Sequence, residues 1–239
     1  MISNFCNSKE ETLLQASQKL VSELKRLVEN KTPTLFLASG GSALQLLNDI
    51  PADVLGPHLT ISVLDDRYSS DPAINNFSQL MQTRLYADAA TAGAKFIDTR
   101  PQPDETQEEV VQRLEKGIRD WRKNYPQGFI LITQGIGPDG HTSGIMPFPE
   151  NPTYFKNTFE NSGKCFVGYD AKGKNPYPLR ITATISFLRE VDVSILFACG
   201  EDKKVAFERL RAEEGTLAET PARIIKEMKQ VYVFTDVTI

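Results

Sequence analysis

The stretch QGIGPDGHTSGIMP, from Gln134 to Pro147, follows directly on the apolar run 129–133. That run has the length and composition of a buried strand, and glycines and a proline end it abruptly. Open α/β sheets build their sites at the carboxyl ends of strands. The loop carries Asp139 and His141, and the whole chain contains only 2 histidines. We therefore predict that this stretch is an active-site loop.

The composition is that of an ordinary globular protein. Apolar residues make up 40% and charged residues 24% of 239 positions, and this length suits one large α/β domain. We predict a single domain over residues 1–239. The net charge of −4 argues against nucleic acid or an acidic membrane as a partner, because no basic face is needed to explain the sequence. No apolar run is long enough to span a bilayer, and residues 1–11 lack the layout of a signal peptide.

The numbers and positions of the cysteines and histidines indicate the cellular compartment and whether a metal site is expected. Cys6, Cys165 and Cys199 are odd in number and widely separated, which favours reduced thiols and a cytoplasmic location. Histidines occur only at positions 58 and 141, and two are too few to suggest a structural zinc site. We expect no metal and no cofactor.

Strand-like and helix-like segments alternate along the chain without a long linker or a repeat. The pattern predicts a three-layer α/β domain with a mostly parallel sheet. We expect a single helix before the first strand, a helix that begins near Ala43, another that begins at Pro221, and irregular structure over 151–163. The predicted strands are 34–38, 59–64, 95–97, 129–133, 165–169, 180–185, 194–198 and 231–235.

Two loops at strand ends carry groups that suit an anion. Gly40, Gly41 and Ser42 lie between a strand and a predicted helix start, where free N–H groups and the helix dipole point to one spot. A tight turn that requires glycine explains these residues equally well. Lys203 lies near a helix N-terminus, where the helix dipole favours anionic groups rather than a lysine. A bound phosphate would compensate for its charge. The alternative is an exposed lysine.

A third loop, Asp65-Asp66-Arg67, follows the strand 59–64. A surface salt-bridge cluster is the default interpretation of such a charged run. The position of this run at the end of a strand favours a functional role instead. In a parallel sheet these loops gather at one edge. Two cations and a backbone nest suit a phosphate, and His141 with a nearby carboxylate suits proton transfer near neutral pH.

The run GIGPDGHTSGIMP resembles the signature of the glucosamine-6-phosphate isomerase/6-phosphogluconolactonase family, and most closely that of its lactonases. The segments LFLASGGSALQLL, LDDRY, Asn75-Asn76-Phe77, RITATI and GEDK also occur in the family's order. The resemblance covers Thr34 to Lys203. It implies a Rossmann-like α/β fold, no metal, and a phosphorylated sugar lactone as the small-molecule substrate.

The resemblance also implies the site residues. Proton transfer is assigned to His141, with Asp139 beside it, and a purely structural role is the alternative for Arg180. The remaining substrate contacts, including the phosphate-binding residues, are assigned to Gly40, Gly41, Ser42, Asp65, Arg67, Gly137, Arg180 and Lys203.

This chain departs from the lactonase pattern at three places. Ser143-Gly144-Ile145-Met146 replaces Ala-Ser-Leu-Phe, Asp66 replaces a glutamate, and Lys174 lies one residue farther from Arg180 than the family's lysine. None of these changes removes a candidate catalytic group, but they leave the shape of the sugar pocket open.

The implied reaction is hydrolysis of 6-phospho-D-glucono-1,5-lactone to 6-phosphogluconate. His141 would take a proton from the attacking water and return it to the ring oxygen. Backbone N–H groups of residues 135–140, or Arg67, would stabilise the developing oxyanion. We expect the protein to act as a monomer or a small homo-oligomer.

Two other functions are considered. A deaminase–isomerase would use a carboxylate at the position of Asp65, but that branch has a glutamate five residues beyond the histidine, where this chain has Met146. A non-catalytic sugar-phosphate sensor would need a DNA-reading domain, and we expect only one helix before the first strand. Both alternatives are therefore less favoured than a lactonase.

Overall fold

The chain folds into strands and helices that form two sheets in a computed structural model, which describes residues 1–238. The strands are β1 (Ile2–Phe5), β2 (Thr34–Ala38), β3 (Leu59–Val63), β4 (Asp65–Arg67), β5 (Lys95–Phe96), β6 (Phe129–Gln134), β7 (Phe166–Asp170), β8 (Leu179–Ala183), β9 (Val193–Phe197) and β10 (Val231–Thr235). The α-helices are α1 (Lys9–Glu29), α2 (Asn76–Met81), α3 (Arg84–Thr91), α4 (Gln107–Asn124), α5 (Pro152–Phe155), α6 (Ile185–Leu188) and α7 (Lys204–Arg211). Short 3₁₀ helices cover Gly41–Leu47, Ala52–Val54, Glu201–Lys203 and Pro221–Lys226.

The larger sheet has the order β1-β10-β9-β6-β2-β3-β5, and its strand pairs are parallel. The predicted α/β fold with a mostly parallel sheet is therefore confirmed. The chain runs from β2 outward to β3 and β5, and later from β6 outward in the opposite direction to β9 and β10. The reversal falls between β2 and β6, and crevices at such switch points are where open α/β sheets bind ligands.

Both faces of the central strands β2, β3, β6 and β9 are buried, which explains why these strands are mainly apolar. In β2, Leu35 and Leu37 belong to one core cluster, while Phe36 and Ala38 belong to the other. This alternation follows from the two-residue period of a strand. The first cluster includes residues of α4, α7 and the smaller sheet, and the second includes residues of α1, α2 and α3. The result is three layers.

The smaller sheet is antiparallel and has the order β4-β8-β7. The sequence predicted strands near β7 and β8 but not this separate sheet, and it placed Asp65–Arg67 in a loop. In the structure, Asp65 pairs in register with Thr182, and Arg67 with Arg180. Strand propensity does not identify which strands pair with each other, so the local sequence pattern could not predict this second sheet. The smaller sheet carries Asp65 and Arg180 to the edge of the larger one.

Two further expectations about secondary structure were wrong. The segment before β2 contains β1 as well as α1. The helices expected near Ala43 and at Pro221 are present, as the 3₁₀ helices Gly41–Leu47 and Pro221–Lys226. The segment 151–163, expected to be irregular, contains α5 and a π-helical turn over Lys156–Glu160. These are short elements whose form depends on tertiary packing rather than on propensity.

No helix within residues 1–238 combines the length and the apolar character that crossing a membrane requires. The single domain over residues 1–239 stays a prediction.

Candidate active site

A cleft of about 220 Å³ opens where β2, β3, β6 and β9 end. Its walls come from the residues that follow these strands, so the loops predicted to gather at one edge do so. The predicted site residues that line the cleft are Gly40, Gly41, Ser42, Asp65, Arg67, Gly137, His141, Arg180 and Lys203. Asp139, the remaining member of the predicted set, lies directly against His141.

His141 and Asp139 form a hydrogen-bonded pair. The imidazole Nδ1 lies 2.6 Å from Asp139 Oδ1, and the backbone N–H of His141 donates to the same oxygen at 3.1 Å. Burial opposes ionisation of Asp139, but the hydrogen bond and charge of His141 outweigh it and lower the pKa of the carboxyl. An ionised Asp139 accepts a hydrogen bond from the N–H at Nδ1, which leaves Nε2 of a neutral ring as the proton acceptor.

Glycines make this loop geometry possible. A Cβ at Gly137 would lie 2.1 Å from both Cε1 and Nδ1 of His141, so the imidazole packs directly on the backbone. Gly140 has φ of +87°, and its Cβ would lie 2.9 Å from Thr220 Cγ2. The N–H groups of Gly137 and Gly140 donate to the carbonyls of His141 and Gly137, each at 2.9 Å. These two amides of the 135–140 turn are therefore unavailable to a substrate oxyanion.

Arg67 and Lys203 supply positive charge to the cleft. Arg67 Nη1 donates to the carbonyl of Ile74 at 2.9 Å, and within residues 1–238 no carboxylate forms an ion pair with its guanidinium. Lys203 Nζ lies 2.7 Å from Asp202 Oδ2, so a neighbouring carboxylate supplies part of the compensation expected from a phosphate. Across the same described residues, no three His, Cys, Asp or Glu side chains cluster as metal ligands would.

The turn formed by Gly40, Gly41 and Ser42 is compatible with both interpretations that the sequence left open. Gly41 has φ of +63°, which favours glycine, and begins the 3₁₀ helix Gly41–Leu47. A Cβ at Gly40 would lie 2.2 Å from Asn76 Oδ1. The turn therefore requires glycine for steric reasons, and it also lines the cleft together with the exposed Ser42.

Asp65 and Arg180, which both line the cleft, form an ion pair. Arg180 Nη2 lies 2.6 Å from Asp65 Oδ2, and the two side chains are 4% and 9% exposed. Arg180 Nε is buried and has no hydrogen-bond partner in the described part of the chain. Arg180 thus holds Asp65 in place and also faces the cleft, so the structural and substrate-binding interpretations are compatible.

Residues missing from the predicted site also line the cleft, among them Asn76, Ser143 and Gly144. Asn76 is 1% exposed, and its Nδ2 donates to the carbonyl of Asp65 at 2.8 Å. The sequence showed Asn76 only as part of a family segment, and Ser143-Gly144 only as a departure from the family pattern. Neither signal indicated that these residues reach the cleft.

Comparison with known proteins identifies the family. Residues 7–234 match the family described as glucosamine-6-phosphate isomerases/6-phosphogluconolactonase. The chain belongs to this family. The 6-phosphogluconolactonase of Homo sapiens is 24% identical over 221 residues, which cover 85% of this chain and 81% of that protein. The 6-phosphogluconolactonase of Caulobacter vibrioides is 24% identical over 206 residues, with 84% of each chain covered.

A solved structure supports the fold of this family member independently. The 6-phosphogluconolactonase from Shewanella baltica superposes with a TM-score of 0.78 at 22% identity, covering 98% of this chain and 97% of that one. At this identity the likeness shows a shared fold. The resemblance inferred from the sequence motifs is confirmed by the family match.

Proposed function

We propose that this protein hydrolyses 6-phospho-D-glucono-1,5-lactone to 6-phosphogluconate. The observation that carries the proposal is that the His141–Asp139 pair shares one cleft with Arg67, Lys203 and a glycine turn. Such a cleft offers a proton acceptor at one place and anion-binding groups at another. A phosphorylated lactone needs both, and family membership supports this choice of substrate.

The histidine pair accounts for the chemical step. Nε2 of His141 accepts a proton from water as the water oxygen bonds to C1 of the lactone. The bond between C1 and the ring oxygen then breaks, and His141 returns the proton to the ring oxygen. Asp139, 2.6 Å from Nδ1, stabilises the imidazolium that forms between these steps. A lactone is an activated ester, so no covalent intermediate is required.

The cationic residues account for substrate orientation. Arg67, Lys203 and the turn at Gly41 and Ser42 bind the phosphate at C6. Binding a group remote from C1 fixes the position of the reacting carbon relative to His141. The cysteines Cys6, Cys165 and Cys199 are unpaired, which agrees with the proposed cytoplasmic location.

The deaminase–isomerase alternative lacks one of its two expected groups, and the other is engaged in an ion pair. Met146 occupies the position five residues beyond His141 where that branch has a glutamate, and its side chain is buried at 1% exposure. Asp65, the candidate base of that reaction, is held by Arg180 at 2.6 Å. Incubation with glucosamine 6-phosphate should therefore release no ammonia above the level of a blank.

The decisive experiment is a coupled assay with freshly generated lactone, corrected for spontaneous hydrolysis. We expect His141→Ala to lower kcat by a factor on the order of 10² or more, without loss of folded protein. His58→Ala is the matched control, because it removes the other histidine, which does not line the cleft. Undiminished turnover in His141→Ala would contradict the mechanism, and no turnover by the unaltered protein would contradict the function.

A further inference from the structure

Residues 142–145 form a tight two-residue turn on the wall of the cleft. Ser143 has φ of +52°, Gly144 has φ of +74°, and the N–H of Ile145 donates to the carbonyl of Thr142 at 2.8 Å. Two successive residues with positive φ and this hydrogen bond are the pattern of a type I′ turn. A serine with positive φ is uncommon and costs conformational energy, so the surrounding structure must hold it there.

The carbonyl groups of the two central residues of this turn both accept hydrogen bonds from buried side chains. The hydroxyl of Thr182 donates to the carbonyl of Ser143. The hydroxyl of Tyr169 donates to the carbonyl of Gly144 at 2.5 Å. Gln134 Nε2 also donates to Ser143 Oγ at 3.1 Å. The turn is therefore fixed from the protein side, with both central peptide oxygens directed inward.

The N–H groups of the same turn are in the opposite situation. Peptide bonds are trans throughout the described chain, so the N–H of Gly144 points away from the carbonyl that Thr182 holds. Within residues 1–238, neither this N–H nor that of Ser143 donates to a protein acceptor. Both residues are buried and line the cleft that contains His141. Buried N–H groups without an acceptor are rare in proteins, and a bound molecule would provide one.

We propose that the backbone N–H groups of Ser143 and Gly144 form the oxyanion hole of this enzyme. The inference rests on the proposed lactone hydrolysis. As the water oxygen bonds to C1, the π electrons of the C1 carbonyl move onto its oxygen, and these two N–H groups donate to that oxyanion. When the bond from C1 to the ring oxygen breaks, the electrons return to re-form the carbonyl of the product carboxyl group.

The charges around the turn are compatible with this role. A Cβ at Gly144 would lie 2.6 Å from Asp65 Cβ and 2.7 Å from its Oδ2, so the turn packs directly on this carboxylate. A bare carboxylate there would repel an oxyanion. Arg180 lies 2.6 Å from Asp65 Oδ2 and balances its charge. The pair therefore supports the turn without adding net negative charge to the cleft.

Amide resonances of the ¹⁵N-labelled full chain test the inference directly. The probes are 6-phosphogluconolactam, which has a carbonyl at the position of C1, and glucitol 6-phosphate, which has none. We expect both to shift the amide of Gly41, and only the lactam to shift those of Ser143 and Gly144 downfield. Shifts at Gly41 without any at 143 and 144 would overturn the oxyanion hole alone. If no cleft amide moves with either probe, the proposed function fails and the inference fails with it.

A kinetic comparison supplies a second test. Gly144→Ala adds a methyl group that collides with Asp65 and imposes strain at positive φ, so the turn must move. We expect kcat to fall roughly 10²- to 10³-fold with KM changed little, because the phosphate contacts remain. Gly163→Ala is the matched control, since Gly163 has φ of +65° and open space around its Cβ. Unchanged kcat in a folded Gly144→Ala protein, or an equal loss in Gly163→Ala, would overturn the assignment.

Discussion

At the scale of single residues, the position of the imidazole depends on groups that have no reactive chemistry of their own. Gly137 leaves the space that the His141 ring occupies, and Asp139 fixes the ring through Nδ1 at 2.6 Å. The ring is therefore held by one backbone contact and one carboxylate. Both supports can be removed separately.

Replacing Asp139 tests the carboxylate. Asp139→Asn keeps the size of the side chain but removes the negative charge that stabilises the imidazolium. We expect kcat for lactone hydrolysis to fall by a factor on the order of 10², while KM changes little because the phosphate-binding residues are intact. Steady-state kinetics with the coupled assay measure both. A variant with full kcat would show that Asp139 has only a structural role.

Replacing Gly137 tests the backbone contact. Gly137→Ala places a methyl group 2.1 Å from the His141 ring, so the ring must leave its position. We expect a loss of kcat comparable to that of His141→Ala. Gly135→Ala is the control in the same loop, because its Cβ would meet only the Phe197 carbonyl, at 3.7 Å. Equal activities of the two variants would refute the argument.

At the scale of elements, Asp66 joins β4 to the start of α2. Its side chain is 0% exposed and accepts hydrogen bonds from the backbone of Arg67 at 2.7 Å, Asn76 at 2.6 Å and Phe77 at 3.3 Å. The hydroxyl of Thr99 donates to it at 2.5 Å. One buried carboxyl thus positions both Arg67 and Asn76 at the cleft. This explains why an acidic pair follows β3, where only Asp65 reaches the substrate side.

The titration of Asp66 predicts a pH dependence of stability. Burial raises its pKa from 3.8 to about 6, despite opposing hydrogen bonds from Thr99 and the backbone of Asn76, Arg67 and Phe77. The folded state therefore holds this proton more tightly than the unfolded state. Its contribution to the free energy of unfolding should rise by about 2 kcal/mol as pH falls from 6 to 4.

Urea denaturation of the unaltered protein and Asp66→Asn at several pH values measures this contribution. The variant cannot titrate at position 66, so other carboxyls cancel in the difference between the two proteins. We expect the stability advantage of the unaltered protein to grow between pH 6 and pH 4. An advantage that shrinks over this range would mean that the hydrogen bonds to the carboxylate outweigh its burial.

At the scale of the whole molecule, the cleft lies where the two sheets meet. The larger sheet provides the loops after β2, β6 and β9, and the smaller sheet provides Asp65 and Arg180. This buried ion pair joins residues 115 positions apart in the chain. Its integrity therefore depends on the packing of the complete structure.

Breaking this pair should destabilise the protein. Asp65→Ala leaves Arg180 buried without its carboxylate, and we expect the free energy of unfolding to fall by about 3–5 kcal/mol. The double variant Asp65→Leu/Arg180→Met removes both charges and should recover part of that loss. Denaturant unfolding of both variants provides the measurement. If the double variant is no more stable than Asp65→Ala, the loss does not arise from an unpaired buried charge.

The sequence by itself determined the fold class, and nine of the ten site residues that it predicted line the cleft. Apolar strands and glycine-rich breaks such as Gly40-Gly41 and the run after β6 are local signals, whereas Gly137 and Arg180 were assigned only through the family resemblance. A parallel sheet then places the loops after its strands at one edge. His141 and Asp139 are two residues apart, so their pairing also follows from local chain geometry.

Tertiary structure alone decided the smaller antiparallel sheet, the Asp65–Arg180 ion pair and the outward amides of Ser143 and Gly144. Each depends on a contact between distant segments, such as the hydrogen bond from Thr182 to Ser143 across 39 residues. Strand propensity and spacing carry no information about which distant groups meet. Whether a backbone N–H is left free is fixed only when every competing acceptor has been placed, and that requires the folded chain.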